Sequence, residues 1–211
     1  MVGASQVVHV DRPEHRGSRA ERGFDRVSLG EIAAAAGLSR GTPSYFFGSK
    51  AELYQAVLEE VFRDREEATR RACRPLVSWA ESESSASLRR SLTKAVSGYL
   101  DFLLEHLSFL KLIQREELTG AARLRAVPRE SKAIEEAFGA VRAAADRRDL
   151  RSFAVGDVVL LFVSLTFFPL AQRSTFMASL GRDLSDPKER RRHVRLVVDQ
   201  LLHLIGPGKD A

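Results

Sequence analysis

Apolar residues recur every three or four positions along most of this chain, and no convincing run alternates strictly with polar ones, so the pattern predicts an all-α protein. A stripe of Leu53, Tyr54, Val57, Leu58, Val61 and Phe62 marks one amphipathic helix over about residues 49–73. Pro75 and the serine-rich residues 82–87 then read as a connector. Leu88, Leu92, Val96, Tyr99, Leu100, Leu103, Leu104 and Leu107 predict a second long helix, and Ser108 caps a shorter one that carries Phe109, Leu112 and Ile113 and stops at Gly120. Residues 129–147 form another, with Ile134, Phe138 and Val141 inward. Residues 158–172 are uncharged and apolar on nearly every side, interrupted at Pro169, so that helix must be covered all round. The last helix, residues 188–205, buries Val194, Val197, Val198, Leu201, Leu202 and Ile205.

The densest local signals lie between Ser28 and Leu53. Ser28 is followed three residues on by Glu31, the spacing of a reciprocal capping box, so a helix begins near Leu29. Its Ile32-Ala33-Ala34-Ala35-Ala36 body combines high helix propensity with small side chains that let a second helix approach. Gly37 ends it in a left-handed turn, Leu38 folds back to the core, and Ser39 caps a new helix. Ser49 and Glu52 repeat the capping box at the start of the long helix. The result is helix, turn, helix. A helix over Arg40–Phe47 presented this way fits a DNA major groove, where base edges and the thymine methyl distinguish sequence.

Gly23-Phe24, Ile32-Ala33, Ala36-Gly37-Leu38-Ser39, Gly41-Thr42, Phe47, Ser49-Lys50 and Glu52-Leu53 together resemble the DNA-binding domain of TetR-family transcriptional regulators, directly over about residues 23–61. The resemblance implies residues 20–66 as a helix-turn-helix domain, residues 67–206 as a helical ligand-binding and dimerisation domain, and residues 207–211 as a tail. It implies a homodimer that grips a palindromic operator on double-stranded DNA, as a repressor released by a small-molecule effector. Lys50 matches the family's phosphate-contacting lysine. Arg40, Thr42 and Tyr45 are expected to reach the groove, with Ser28, Ser39 and Ser44 beside them. Arg40 has two open roles, a fork onto guanine or a clamp on phosphate. Ile32, Ala36, Leu38, Phe47 and Leu53 read as core.

In the resembled family the effector lies between helices of the C-terminal domain. Helix phases then nominate Phe102, His106, Phe109, Gln114, Phe138, Ser164 and Phe168 as its lining. The family's last two long helices form a four-helix bundle across the dimer axis. Val159, Phe162, Val163, Phe167, Val194, Val198, Leu201, Leu202 and Ile205 are the expected contact, although periodicity shows a buried face and not what buries it. No cofactor is expected.

Two features depart from the family pattern. Pro43-Ser44-Tyr45 stands where an apolar residue, a tyrosine and a tyrosine or histidine are usual, and Pro43 delays or distorts the helix start. The family's first helix is also missing its pattern: Ala20–Phe24 reproduces the motif that follows it, but residues 11–22 hold no Val, Ile, Leu, Met or aromatic residue, and Pro13 and Gly17 interrupt any helix. Losing that cover from two or three large side chains costs about 1.5–3 kcal/mol each. Residues 1–19 are therefore expected to come from an altered reading frame or a misassigned start. The coding DNA upstream of Ala20 tests this, and finding no other frame that encodes an amphipathic helix sinks it. If the segment is authentic, the alternative reading is a helical dimer that binds a ligand but is impaired on DNA.

Composition narrows the classes further. With 211 residues, 44% hydrophobic and 29% charged, the chain is a globular protein and not a disordered one. A net charge of +5 favours an anionic partner, but residues 1–50 carry only seven Lys or Arg against five Asp or Glu, so placement of Arg40 and Lys50 matters more than bulk charge. Cys73 is the single cysteine, which excludes an intramolecular disulfide, and the N-terminus has no signal-like apolar run, so a cytoplasmic location is expected. The apolar run at 158–172 is too short for a membrane span.

Enzyme readings fail on context, and no catalytic activity is expected. Gly37-Leu38-Ser39-Arg40-Gly41 matches a G-x-S-x-G elbow, with His193 and His203 as nominal bases, but that elbow needs a strand leading into it and an alanine-rich helix precedes it here. His9, His15, His106, His193 and His203 show no metal-ligand spacing. Glu116-Glu117 beside Arg115 reads as a solvated face or an ion pair.

Overall fold

The computed structural model describes residues 27–82, 87–127 and 131–207, and among them every regular element is helical apart from one isolated bridge between Leu150 and Pro207. In chain order these are α1 (Leu29–Ala35), α2 (Thr42–Phe47), α3 (Lys50–Glu81), α4 (Leu88–Glu105), α5 (Leu107–Leu118), α6 (Lys132–Ala143), α7 (Val155–Ala171) and α8 (Pro187–Ile205). Short 3-10 turns at Arg123–Ala126 and Asp146–Arg148 and a π turn at Arg173–Met177 join some of them. The Ala20–Phe24 match and the question of residues 1–19 fall outside the described residues. Contacts divide the chain into two units, one drawn from Met1–Asp64 and Lys111–Arg129, the other from Arg65–Leu110 and Glu130–Ala211.

In the first unit, local chemistry sets each helix end. The Glu31 N–H donates to Ser28 Oγ at 3.2 Å while the Ser28 N–H donates to Glu31 Oε2 at 2.7 Å, the two halves of the capping box. At the other end of α1, Gly37 takes φ +68°, the Leu38 N–H reaches the Ala33 carbonyl at 2.8 Å and the Gly37 N–H reaches Ala34 at 3.3 Å, the paired bonds of a Schellman turn. Ser49 and Glu52 repeat the box at the start of α3, with bonds of 2.8 and 3.2 Å, and hydrogen bonds from the Ser49 side chain and then its backbone hold the Glu52 carboxyl below its usual range.

Helix α2 starts late, as Pro43 predicts. Its N-cap is Gly41, and Ser39, expected as the cap, instead shares a 2.6 Å hydroxyl bond with Thr42. Pro43 accounts for the shift, because a residue without an N–H is tolerated in the first turn, where no acceptor waits for it. Ala33, Pro43, Leu53, Leu58, Phe62, Leu124 and Val127 are buried in this unit.

The second unit corrects the expected break near Pro75, since α3 continues through that proline to Glu81. Leu76, Trp79 and Ala80 are buried beyond it, so tertiary packing outweighs the lost backbone bond. The carbonyls at the end of α3 and just beyond it are served by the Asp146–Arg148 turn: Arg147 donates to Ala80 O at 3.0 Å, and Arg148 donates to Trp79 O and Ser82 O with its guanidinium 4.9 Å over the Trp79 ring. Glu66 on α3 accepts from the Ala133 N–H at 2.8 Å and from the Ser131 hydroxyl, which anchors the start of α6. Ser108 does not cap α5; the chain turns at His106, which bonds the Phe102 carbonyl, and α5 has already begun at Leu107.

Helix α7 is not covered all round. Val158, Phe162, Thr166 and Leu170 form its buried face at four-residue spacing, while Leu160, Ser164 and Phe168 form an open one. Pro169, inside this helix, has no N–H to give the carbonyl of Leu165. The His193 ring on α8 supplies the missing donor, Nε2 to Leu165 O at 2.7 Å. A carbonyl only accepts, so Nε2 carries the proton, and Nδ1 is left buried with no hydrogen-bond partner among the described residues.

Candidate nucleic-acid interface

Six residues make α2, and the helical period divides them by face. Pro43 and Phe47, four apart, turn inward, the first buried and the second half-buried. Ser44, Tyr45 and Phe46 are exposed, Tyr45 at 84% and Phe46 at 59%, with ring centroids 5.1 Å apart in an edge-to-face arrangement. Just before the helix, exposed Arg40 lies across the first turn of α1: a Cβ on Gly30 would stand 3.1 Å from Arg40 Nε and 3.4 Å from its Cγ. A glycine at that position therefore leaves room for the arginine's stem.

The other nominated DNA contacts have local occupations. Ser28 is exposed, but its hydroxyl lies 2.9 Å from Glu31 Oε2. Thr42 is half-buried against Ser39, and Lys50 is the half-buried first residue of α3. Glu31 and Glu52 place the chain's own carboxylates at the amide-rich starts of α1 and α3, and Arg40 and Lys50 are the cations before and after α2 in the chain. The open cluster is thus Arg40, Ser44, Tyr45 and Phe46. Phe46 was missed in the sequence, although the spacing from Pro43 to Phe47 already assigns the inward positions of a two-turn helix and leaves Phe46 outside them.

Of the two readings of Glu116, the ion pair holds: it is 1% exposed and pairs with Arg123 at 3.5 Å. Tyr54 donates to the same Oε1 at 2.8 Å, and burial followed by this bond pushes the phenol well above its ordinary range. These contacts belong to the first unit and tie α3 to α5 across 62 residues of sequence.

The nominated effector lining is only partly brought together. Phe102 stacks on His106 at 4.5 Å and lies 6.3 Å from Phe109, while Phe138 meets Phe162 at 5.8 Å. Tyr99, absent from the nominated set, joins the two groups, 6.4 Å from Phe102 and 5.3 Å from Phe162, and gives a continuous aromatic row through the second unit. Arg65 is buried at 8% exposure, with Tyr99 and Glu66 as its electrostatic neighbours, and desolvation lowers its pKa. Burial also raises the Cys73 thiol to about 12, which leaves it unreactive. Ser164 and Phe168 do not face this row; they lie on the open side of α7. Gln114 belongs to the first unit.

The residues nominated for a dimer contact differ widely in their burial within the chain. Phe162, Val194, Val198, Leu201 and Ile205 are at most 5% exposed within one chain and have almost no area to give a partner. Val159, Val163, Phe167 and Leu202 are half-buried. Apolar surface remains instead at Leu160 (67%), Phe168 (49%) and Leu196 (44%). The physical reason is that the i, i+3, i+4 stripe marks the face that closes the chain's own core.

Comparison with known proteins adds to this geometry. A family model described as bacterial regulatory proteins, tetR family, matches residues 19–57, and one described as tetracyclin repressor-like, C-terminal domain, matches residues 89–201. The fold is similar to that of a TetR-family regulator from Mesorhizobium loti, with a TM-score of 0.69, 17% identity and 96% of each chain covered. A TetR-family regulator from Haemophilus influenzae gives 0.63 at 16% identity, over 96% of this chain and 95% of that one. A flavonoid-responsive regulator, FrrA, gives 0.57 at 20% identity, over 99% and 98%. No curated protein matches the sequence.

Proposed function

Because the chain belongs to the TetR family of bacterial regulatory proteins, we propose that it acts as a transcriptional repressor, binding a roughly palindromic operator as a homodimer and leaving it when a small molecule occupies the C-terminal unit. The observation that carries this reading is the outward face of α2, where Ser44 and Tyr45 stand exposed, with Arg40 exposed just before it and a turn held by the Gly37 bonds. A helix buried on Pro43 and open opposite has the shape a major groove of about 12 Å admits. Arg40 and Lys50 flank it and would meet the phosphates that position the protein.

The subunits would meet through the open face of α7, Leu160, Ser164 and Phe168, with Leu196 of α8. An exposed apolar stripe of this kind is what a two-fold interface buries. The effector would lie against the aromatic row from Phe138 to Phe109, where apolar walls offer area. The flavonoid response in the name of one structural neighbour is consistent with an aromatic effector in this fold. Such an effector acts only by preferring a different arrangement of the paired readers, since equal affinity for two states shifts neither.

The test is titration of the purified protein against a labelled duplex from its own upstream region across a salt series. Specific binding that falls linearly in log K against log salt supports the reading. Retention no different from that of random duplex, by a chain that still dimerises, would point instead to a ligand-binding dimer impaired on DNA.

A further inference from the structure

We propose that Tyr45 and Phe46 form an apolar reader on α2 for the 5-methyl group of thymine; this rests on the operator-binding reading above and goes on to name what is read. Three aromatic residues follow one another at Tyr45, Phe46 and Phe47, and only Phe47 shares the inward face with Pro43. The other two keep most of their surface in contact with solvent, at 84% and 59%, and pack edge to face on each other with an interplanar angle of 87°.

Along the chain the arrangement is cation, apolar tip, cation. Arg40 precedes α2 and Lys50 follows it, and no charged residue lies within its Thr-Pro-Ser-Tyr-Phe-Phe sequence. A major groove has the matching order: phosphates along its two walls, and on its floor the one apolar group that a base pair presents, the thymine methyl. A phenyl ring has no hydrogen-bonding group, so it distinguishes bases only by apolar contact, and that contact exists where a methyl projects. Cytosine and uracil offer none. Phe46 therefore selects for sequence without a polar bond, and Tyr45, T-stacked beside it, limits its freedom and widens the apolar tip.

The experiment starts with a duplex enriched by the full chain from a randomised DNA pool. That duplex is then resynthesised with deoxyuridine replacing thymidine at single positions, which removes only the methyl. Affinity is expected to fall about fourfold for each methyl contacted, the equivalent of one buried carbon. Phe46→Ala should bind the thymine duplex more weakly and respond less to the replacement, whereas Phe46→Leu, which keeps an apolar side chain, should retain part of the response. Unchanged thermal midpoints would show that both variants fold. Wild-type protein that binds thymine and uracil duplexes equally at every position overturns this inference while leaving operator binding intact, and so does a full methyl response in both Tyr45→Ala and Phe46→Ala. A pool from which no duplex is enriched overturns the operator-binding reading as well.

Discussion

Replacing His193 with leucine should destabilise the second unit for a reason that a second substitution can isolate. The ring is 4% exposed and its Nε2 donates at 2.7 Å to the Leu165 carbonyl, the group left without its helical donor by Pro169. Leucine has similar volume and no donor, so the change strands a carbonyl inside the α7–α8 contact at a cost of about 1–3 kcal/mol. For a chain of this size a loss near 2 kcal/mol lowers the thermal midpoint by about 4–8 °C. Pro169→Ala restores an N–H four residues after Leu165, so in that background the cost of His193→Leu should shrink by about 1 kcal/mol or more. Circular dichroism melts of the four proteins at one fixed concentration close the cycle. A His193→Leu protein as stable as the parent, or a cost identical with and without Pro169, would refute the reasoning.

The same histidine gives a pH dependence. Burial holds its folded pKa below the unfolded value of about 6.5, with Arg182 pushing the same way against the Leu165 bond. Between those two values the unfolded chain binds more protons, so this contribution is complete above about 6.5 and is lost as pH falls through the window; urea midpoints should show this slope in the parent and not in His193→Leu. Glutamates at Leu160 and Phe168 together should convert a dimer to a folded monomer, read by light scattering after size exclusion, and a dimer that persists would reject the open face of α7 as the contact. Gly37→Ala should cost about 1–2 kcal/mol by denaturant melting, because φ is +68° there and an added Cβ meets nothing within 4 Å, which leaves backbone strain as the only penalty.

Local chemistry carried much of this protein. Both capping boxes, the Gly37 turn and the inward stripes of α4, α6 and α8 follow from residues within a turn or two of each other, so they are legible in the sequence and the structure has them. The exposed cluster on and just before α2 was legible for Arg40, Ser44 and Tyr45 and missed for Phe46. What needed tertiary structure was every choice between faces or partners far apart in the chain. Burial of Leu76 and Trp79 carried α3 through Pro75, Tyr54 and Arg123 took Glu116 into a core, and His193 repaired the gap at Leu165. The nominally all-apolar α7 shows the limit most plainly: its composition demands burial, but only the packing of α4, α6 and α8 around it decides that Phe162 is closed within the chain and Leu160 left open. Periodicity specifies that a side of a helix is apolar; which neighbour covers it is set by long-range contacts that no short window of sequence contains.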